Sequence, residues 1–274
     1  MGFLIIDQEK CKKDAVCANE CPVVIIQAAD NENFPSMVPG GEQVCLLCGH
    51  CVAVCPHGAL SHEKVPIEAC RPINKNLVIN EEQAVQFLRS RRSVRSFKEK
   101  PVEKETLQKL IEVARYAPTG GNSQSVLWTV YTDKDDIKHL AGQTVDAMRH
   151  MQENDPEAAK LPYIPLIIGA WDMGLDVVLR NAPAVVIASA PAASAGGMAD
   201  VILALSYLEL TAQTMGIGTC WAGLLHGALQ SWQPLKDTVG LPEGHTHQYA
   251  MMLGYSKPKY FRLPERKMPT IVWK

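Results

Sequence analysis

CKKDAVCANECP (residues 11–22) and CLLCGHCVAVCP (residues 45–56) are written on one frame. The second stretch sets Cys45, Cys48, Cys51 and Cys55 at steps of three, three and four, then closes on Pro56. The first repeats those steps through Cys11, Cys17, Cys21 and Pro22, with Asp14 in the slot that Cys48 fills later. Each shared position recurs 34 residues on (11 to 45, 17 to 51, 21 to 55), which marks a duplicated unit. Seven of the nine cysteines lie within the first 55 residues. A disulfide framework fits poorly with the odd count and with a start, MGFLIIDQEKC, that lacks the basic and apolar regions of a signal peptide. Structural zinc also uses CxxC pairs, but it pairs two separated units and needs no further thiolate just before a proline. A CxxCxxCxxxCP run is the pattern of bacterial iron–sulfur proteins, in which three cysteines wrap one cubane and the fourth reaches the other. Asp14 is then a lost ligand, a substituted ligand or an accident of spacing.

Composition narrows the partners. A hydrophobic content of 47% with 20% charged residues suits a globular chain, and a net charge of −2 leaves no footprint for nucleic acid or an acidic membrane. No uncharged apolar run reaches the roughly 18 residues of a membrane span. The stretch nearest to it, MADVILALSYLELTAQTMGIG, is interrupted by Asp200 and Glu209. The expectation is a soluble, cytoplasmic protein.

The paired runs and the CPHGAL after the second resemble the two-cluster bacterial ferredoxin module. The resemblance implies that Cys21, Cys45, Cys48 and Cys51 hold one [4Fe–4S] cluster, and that Cys11, Cys17 and Cys55 hold another with Asp14 facing its fourth iron. Carboxylate is a harder donor than thiolate and binds iron less firmly, and it must be deprotonated to bind at all. The expected pair is therefore one conventional cubane and one labile site convertible to [3Fe–4S]. With Asp14 turned to solvent, three irons or none would sit there. His50 and His57 lie in the cluster loops, where hydrogen bonds to sulfur could tune a potential.

After Leu60 the polar, proline-bearing SHEKVPIEACRPINKN acts as a connector, which places the domains at 1–76 and 77–274. Asn80 is a candidate N-cap for a helix with an apolar side at Ala84, Val85, Phe87 and Leu88. It runs into RRSVRSF, where Arg91, Arg92, Ser93 and Arg95 cluster; guanidinium forks beside a hydroxyl suit a phosphate, while charge alone would be satisfied by a solvated helix end. Leu107, Leu110, Ile111 and Ala114 predict a second helix, ending in the turn APTGGNSQ. VLWTVYT and APAVVIASA predict strands, and MADVILALSYLELTAQTMG a helix buried in the core or in a subunit interface. Cys220 is expected to be packing.

RRSVRSF, APTGGNSQ, GIGTCWAG and the late LGYSKP…LPERK, in this order, resemble the FMN-dependent nitroreductase family over roughly residues 80–270. The resemblance implies an α+β, nitroreductase-like FMN-binding fold, with a central mixed sheet, helices around it and an intertwined homodimer, behind a small ferredoxin-like iron–sulfur domain. It implies that Arg91, Arg92, Ser93 and Arg95 contact the FMN phosphate and ribityl chain, with Arg266 and Lys267 completing the phosphate site. Pro118, Thr119, Asn122 and Gln124 would lie beside the flavin. Trp221, Ala222 and Gly223 would line its ring, a backbone amide there donating toward N5. Where some family members carry an acidic residue before that glycine, this chain has Ala222.

Flavins exchange one or two electrons and clusters one, so the combination gathers single electrons into two-electron reductions. The expected function is an FMN oxidoreductase reducing nitroaromatic, quinone or related small-molecule acceptors, with no catalytic side chain required. No GxGxxG follows a strand, and the donor would be NAD(P)H stacking on the flavin, or an external ferredoxin or flavodoxin. The rival expectations are an electron-transfer flavoprotein serving a protein partner, and a relative specialised for one biosynthetic substrate.

Overall fold

The cysteine-rich segment is short, and the first unit is accordingly small. The computed structural model describes residues 3–157, 160–194 and 196–274. It divides into Met1–Ile79 with Gly121–Ser123, and Asn80–Gly120 with Gln124–Lys274. Among the described residues no helix is long and apolar enough to cross a membrane.

The first unit runs β1 (Leu4–Ile6), α1 (Val16–Asn19), β2 (Ile26–Gln27), β3 (Ser36–Met37), α2 (Gly41–Val44), α3 (His50–Val54) and β4 (Leu60–His62). β1 pairs antiparallel with β4, matching Leu4 to His62 and Ile6 to Leu60, and β2 pairs with β3. The duplication read from the cysteines is also written in the backbone. Lys13 and Leu47 both have positive φ (56° and 52°), as do Ala15 and Gly49 (60° and 70°) and Val24 and Gly58 (54° and 58°), each pair 34 residues apart. Val16 opens α1 and His50 opens α3 at the same offset. Two of those pairs use glycine in one copy and a residue with a Cβ in the other. The strain of left-handed Ala15 and Val24 is therefore retained in the copy where glycine would relieve it. Only Cys17, Ile25, Ile26, Val52 and Leu60 are fully buried in its apolar cluster.

The second unit runs α4 (Glu81–Ser90), α5 (Lys104–Ala114), β5 (Leu127–Tyr131), α6 (Lys134–Asn154), α7 (Tyr163–Asp172), β6 (Ala184–Pro191), α8 (Gly197–Thr214), β7 (Ile217–Trp221), α9 (Gly223–Ser231), α10 (Gln233–Val239) and β8 (His245–Tyr255). The capping box expected of Asn80 forms: its Oδ1 accepts from the Gln83 amide at 2.9 Å while Gln83 Oε1 accepts from the Asn80 amide at 3.0 Å. The sheet order is β5-β6-β8-β7, with antiparallel pairing throughout. The expected mixed character is confined to an isolated parallel bridge between Ser93 and Thr219.

Strand periodicity sorts the core into two layers. Val185 and Ile187 of β6, with Ala250 and Met252 of β8, face a cluster that includes Leu140 and Val145 of α6, Leu225 of α9 and Leu235 of α10. Ala184, Val186, Ala188, Met251 and Leu253 face the other side, against Leu107 and Leu110 of α5 and Leu205 and Leu208 of α8. α8, expected to be apolar nearly all round, buries one stripe: Gly197, Asp200, Val201, Ala204, Leu205, Leu208, Glu209 and Ala212. Both of its carboxylates lie on that stripe, while Leu203 and Tyr207 are exposed.

Candidate functional site

In the first unit the cysteines fall into two sets. Burial pushes the Cys51 thiol up to about 11, and the neighbouring Cys48, Cys45 and Cys21 add to the shift. The same four cysteines line one pocket with Leu4, Ile25, Met37 and His62. Burial likewise raises Cys17, whose neighbours are Cys55 and Cys11. Thiols held this high bind metal only by giving up a proton to it. Among the described residues no three such side chains close on a point that would hold a single metal ion. The four-cysteine set instead rings a hollow, a donor arrangement that fits a cubane.

Asp14 stands between left-handed Lys13 and Ala15. Its Oδ1 accepts from the Val16 amide at 3.3 Å, and its Oδ2 lies 3.5 Å from His57 Nε2. Asp14 is exposed, unlike the half-buried Cys48 that occupies the matching slot. His50 is exposed as well. A histidine the sequence did not single out lies beside a cysteine: His62, 2% exposed, with Nε2 3.8 Å from Cys45 Sγ.

In the second unit RRSVRSF is extended beside β7. The Val94 amide donates to the Thr219 carbonyl at 2.8 Å. Gly218 has no room for a side chain, since a Cβ there would stand 2.7 Å from Val94 Cγ2. Arg91 and Arg92 line a pocket with Ser90, Glu209, Gln213, Gly216, Gly218 and Thr219, closed by Ser256, Pro258 and Tyr260. Arg91 Nη1 donates to Glu209 Oε1 at 2.9 Å. The same carboxylate accepts from Thr219 Oγ1 at 3.3 Å and from Trp221 Nε1 at 3.1 Å. Glu209 thus holds one of the expected phosphate-site arginines and turns the indole of Trp221 toward the helix. Sequence alone offered a single clue to it, a charge within a long and otherwise apolar helix.

The remaining candidates are not among the residues that line this pocket. Ser93 and Arg95 lie against Cys220, whose thiol is raised by burial and lowered in part by Arg95 and Arg180. The Ala222 amide donates to the Ala250 carbonyl at 2.9 Å and is committed to the sheet, while the exposed Gly223 opens α9, whose first-turn amides have no partner within the helix. Pro118 is exposed, and Thr119 Oγ1 accepts from the Gln124 amide at 3.0 Å. The Gly120 amide donates to buried Asp200 at 2.9 Å, fixing the turn to α8. Gly121–Ser123 belong to the first unit, where Asn122 Nδ2 donates to the Leu46 and Leu47 carbonyls at 2.9 and 3.1 Å. The Asn122 amide is thus bonded within the first unit. Arg266 and Lys267 lie exposed on the irregular segment after β8, where Arg89 and Glu265 approach to 4.0 Å.

Residues 88–255 match the nitroreductase family, and residues 3–56 match the 4Fe-4S dicluster domain. The chain belongs to the nitroreductase family, with a ferredoxin-type dicluster domain ahead of the family's core. A protein named ferredoxin 7Fe from Hydrogenibacillus schlegelii is 36% identical over 77 residues, 28% of this chain and 92% of that one. A nitroreductase with bound FMN from Desulfitobacterium hafniense DCB-2 superposes with a TM-score of 0.57 at 20% identity, covering 71% of this chain and all (100%) of that one. An FMN-dependent nitroreductase from Mycobacterium smegmatis, solved with NADPH, gives a TM-score of 0.53 at 21% identity over 68% of this chain and 95% of its own.

Proposed function

We propose that this chain is an FMN-dependent oxidoreductase that takes up electrons through iron–sulfur clusters in its first unit and passes them to small acceptors of the nitroaromatic or quinone class. The observation that carries the proposal is the presence, on one chain, of a nitroreductase-family core and of cysteines sorted into two sets. Cys21, Cys45, Cys48 and Cys51 would hold a [4Fe–4S] cluster. Cys11, Cys17 and Cys55 would hold one that lacks, or readily loses, the iron facing Asp14. The exposure of Asp14 and its proximity to His57 support that assignment, as does the ferredoxin named 7Fe.

Bound FMN would supply hydride and single-electron exchange. The chain's own share is binding and orientation. Arg91 and Arg92 offer guanidinium donors to a phosphate, with Ser93, Arg95, Arg266 and Lys267 extending the site. Gly223 offers a first-turn amide at the start of a helix, while Pro118, Thr119, Asn122, Gln124, Trp221 and Ala222 flank the ring. Exposed apolar side chains support a homodimer: Val85 and Leu88 of α4, Leu203 and Tyr207 of α8, and Phe261 and Trp273 beyond β8. NAD(P)H or a reduced ferredoxin or flavodoxin would be the donor.

The test is iron, sulfide and FMN per chain on anaerobically purified protein, with EPR of the oxidised and reduced forms. The expected result is one FMN, a [4Fe–4S] signal on reduction and a [3Fe–4S] signal on oxidation, with Asp14→Cys adding iron and abolishing the latter. Zinc in place of iron, or no flavin, would overturn the proposal.

A further inference from the structure

The ring of His62 is held in one orientation and one protonation state by the backbone around it. Its Nδ1 accepts two amide hydrogens, from Lys64 at 3.0 Å and from Val65 at 3.2 Å. An imidazole nitrogen that accepts carries no hydrogen, so the ring is neutral and its hydrogen resides on Nε2. Nε2 lies 3.8 Å from Cys45 Sγ, within the range of a hydrogen bond to sulfur. The Phe3 ring packs edge-on at 4.4 Å, and the residue is 2% exposed, so little water competes for that hydrogen. The ring borders the same pocket as Cys21, Cys45, Cys48 and Cys51. β4, antiparallel to β1, positions it at the Leu4 pairing, which fixes the ring to the sheet rather than to a ligand loop.

We propose that His62 is a positioning residue that donates an Nε2–H···Sγ hydrogen bond to Cys45 and thereby raises the reduction potential of the cluster held by Cys21, Cys45, Cys48 and Cys51. This rests on the iron–sulfur assignment made above. A hydrogen bond to a ligand sulfur stabilises the form with more negative charge on the cluster, which is the reduced one. The bond makes this cluster easier to reduce than it would be without His62, by an amount that depends on one side chain. The Asp14 site has no equivalent, because the residue 34 positions before His62 is Ala28.

The experiment is an EPR-monitored redox titration of the full chain, with iron and sulfide counted on the same samples, for wild type, His62→Leu and His62→Gln. Leucine removes the donor, whereas the Gln amide reaches the position of Nε2 and retains one. The expected result is that H62L moves one reduction step to more negative potential and leaves the other in place, at wild-type iron content, and that H62Q restores most of the shift. Unmoved steps in H62L, or equal shifts in H62L and H62Q, would overturn the hydrogen bond. If H62L fails to hold its clusters, pulsed EPR of wild type and H62Q labelled with [15N]histidine decides. A weak nitrogen coupling present only in wild type supports the bond, no difference overturns it, and a strong directly bonded coupling makes His62 a ligand instead. Absence of iron from wild type overturns the iron–sulfur assignment itself, a separate outcome.

Discussion

Removing Arg91 should harm the second unit more than neutralising Glu209, although the two form a single pair. Glu209 has a side chain 7% exposed and Arg91 one 27% exposed. Arg91→Met leaves a buried carboxylate with only Thr219 and Trp221, and stranding a buried charge costs about 3–5 kcal/mol. Two residual donors place R91M near the low end, at about 3 kcal/mol. Glu209→Gln leaves the guanidinium free to turn into its pocket and meet water, and so loses about 1.5–2 kcal/mol, the low end of the worth of a hydrogen bond to a charged group. At about 2–4 °C per kcal/mol for a unit of this size, R91M lowers Tm by roughly 6–12 °C. The double variant should fall short of the sum by about 1–3 kcal/mol, the coupling of residues in contact. The assay is urea unfolding of the flavin-free chain followed by tryptophan fluorescence. All five tryptophans (128, 171, 221, 232 and 273) belong to the second unit, so the signal reports on it alone. Equal losses for the two single variants, adding without coupling in the double, would refute the buried-pair reasoning.

Gly218→Ala should destabilise the second unit by about 1–3 kcal/mol through overpacking against Val94, and Val94→Ala on top of it should recover part of that loss in the same fluorescence assay. Chelating the iron should melt most of the far-UV dichroism of residues 3–79, whose apolar core is too small to stand alone, while tryptophan fluorescence stays native. The Tyr255 hydroxyl at 2.6 Å, together with Lys100 at 3.1 Å, holds the Glu103 carboxyl at about 2, below its ordinary 4.5. A depressed carboxyl stabilises the fold above its unfolded value and loses that contribution as pH falls through its folded one. The Tm deficit of Glu103→Gln measured at pH 6 should therefore narrow on acidification from about 4.5 toward 2, and a deficit independent of pH would contradict it.

The sequence was most legible where chemistry demands particular residue types at fixed spacing. The cysteine frame and its offset of 34 announced a duplicated unit, and the positive φ values at 13 and 47, 15 and 49, and 24 and 58 repeat that offset in the backbone. Periodicity placed α5 and β6, and the Asn80 cap opened α4. What pattern could not convey was the partner of each polar group. Nothing near RRSVRSF indicates that Arg91 bonds to a residue 118 positions later, or that Asn122 binds the carbonyls of Leu46 and Leu47. His62 escaped notice because it follows the CP run by several residues; only the β1–β4 pairing brings it back over the cysteines. The hydrophobicity of α8 announced burial, but not that its two carboxylates would be buried with it.

Those two carboxylates set an order for folding. Asp200 awaits the amide of Gly120, 80 residues earlier, and Glu209 awaits Arg91 from still farther away. Until both arrive, seating α8 on the sheet would carry unpaired acid groups out of water, at a cost of several kcal/mol. The helix is strongly apolar apart from these two acids and would otherwise collapse early and indiscriminately. Its acids act as a latch with two keys, so that the helix locks down only when the basic strand and the glycine turn are already in place. Asp200→Leu and Glu209→Leu should therefore let α8 dock before either segment arrives, which refolding kinetics followed at Trp221 would register as a faster early phase leading to a less uniform product.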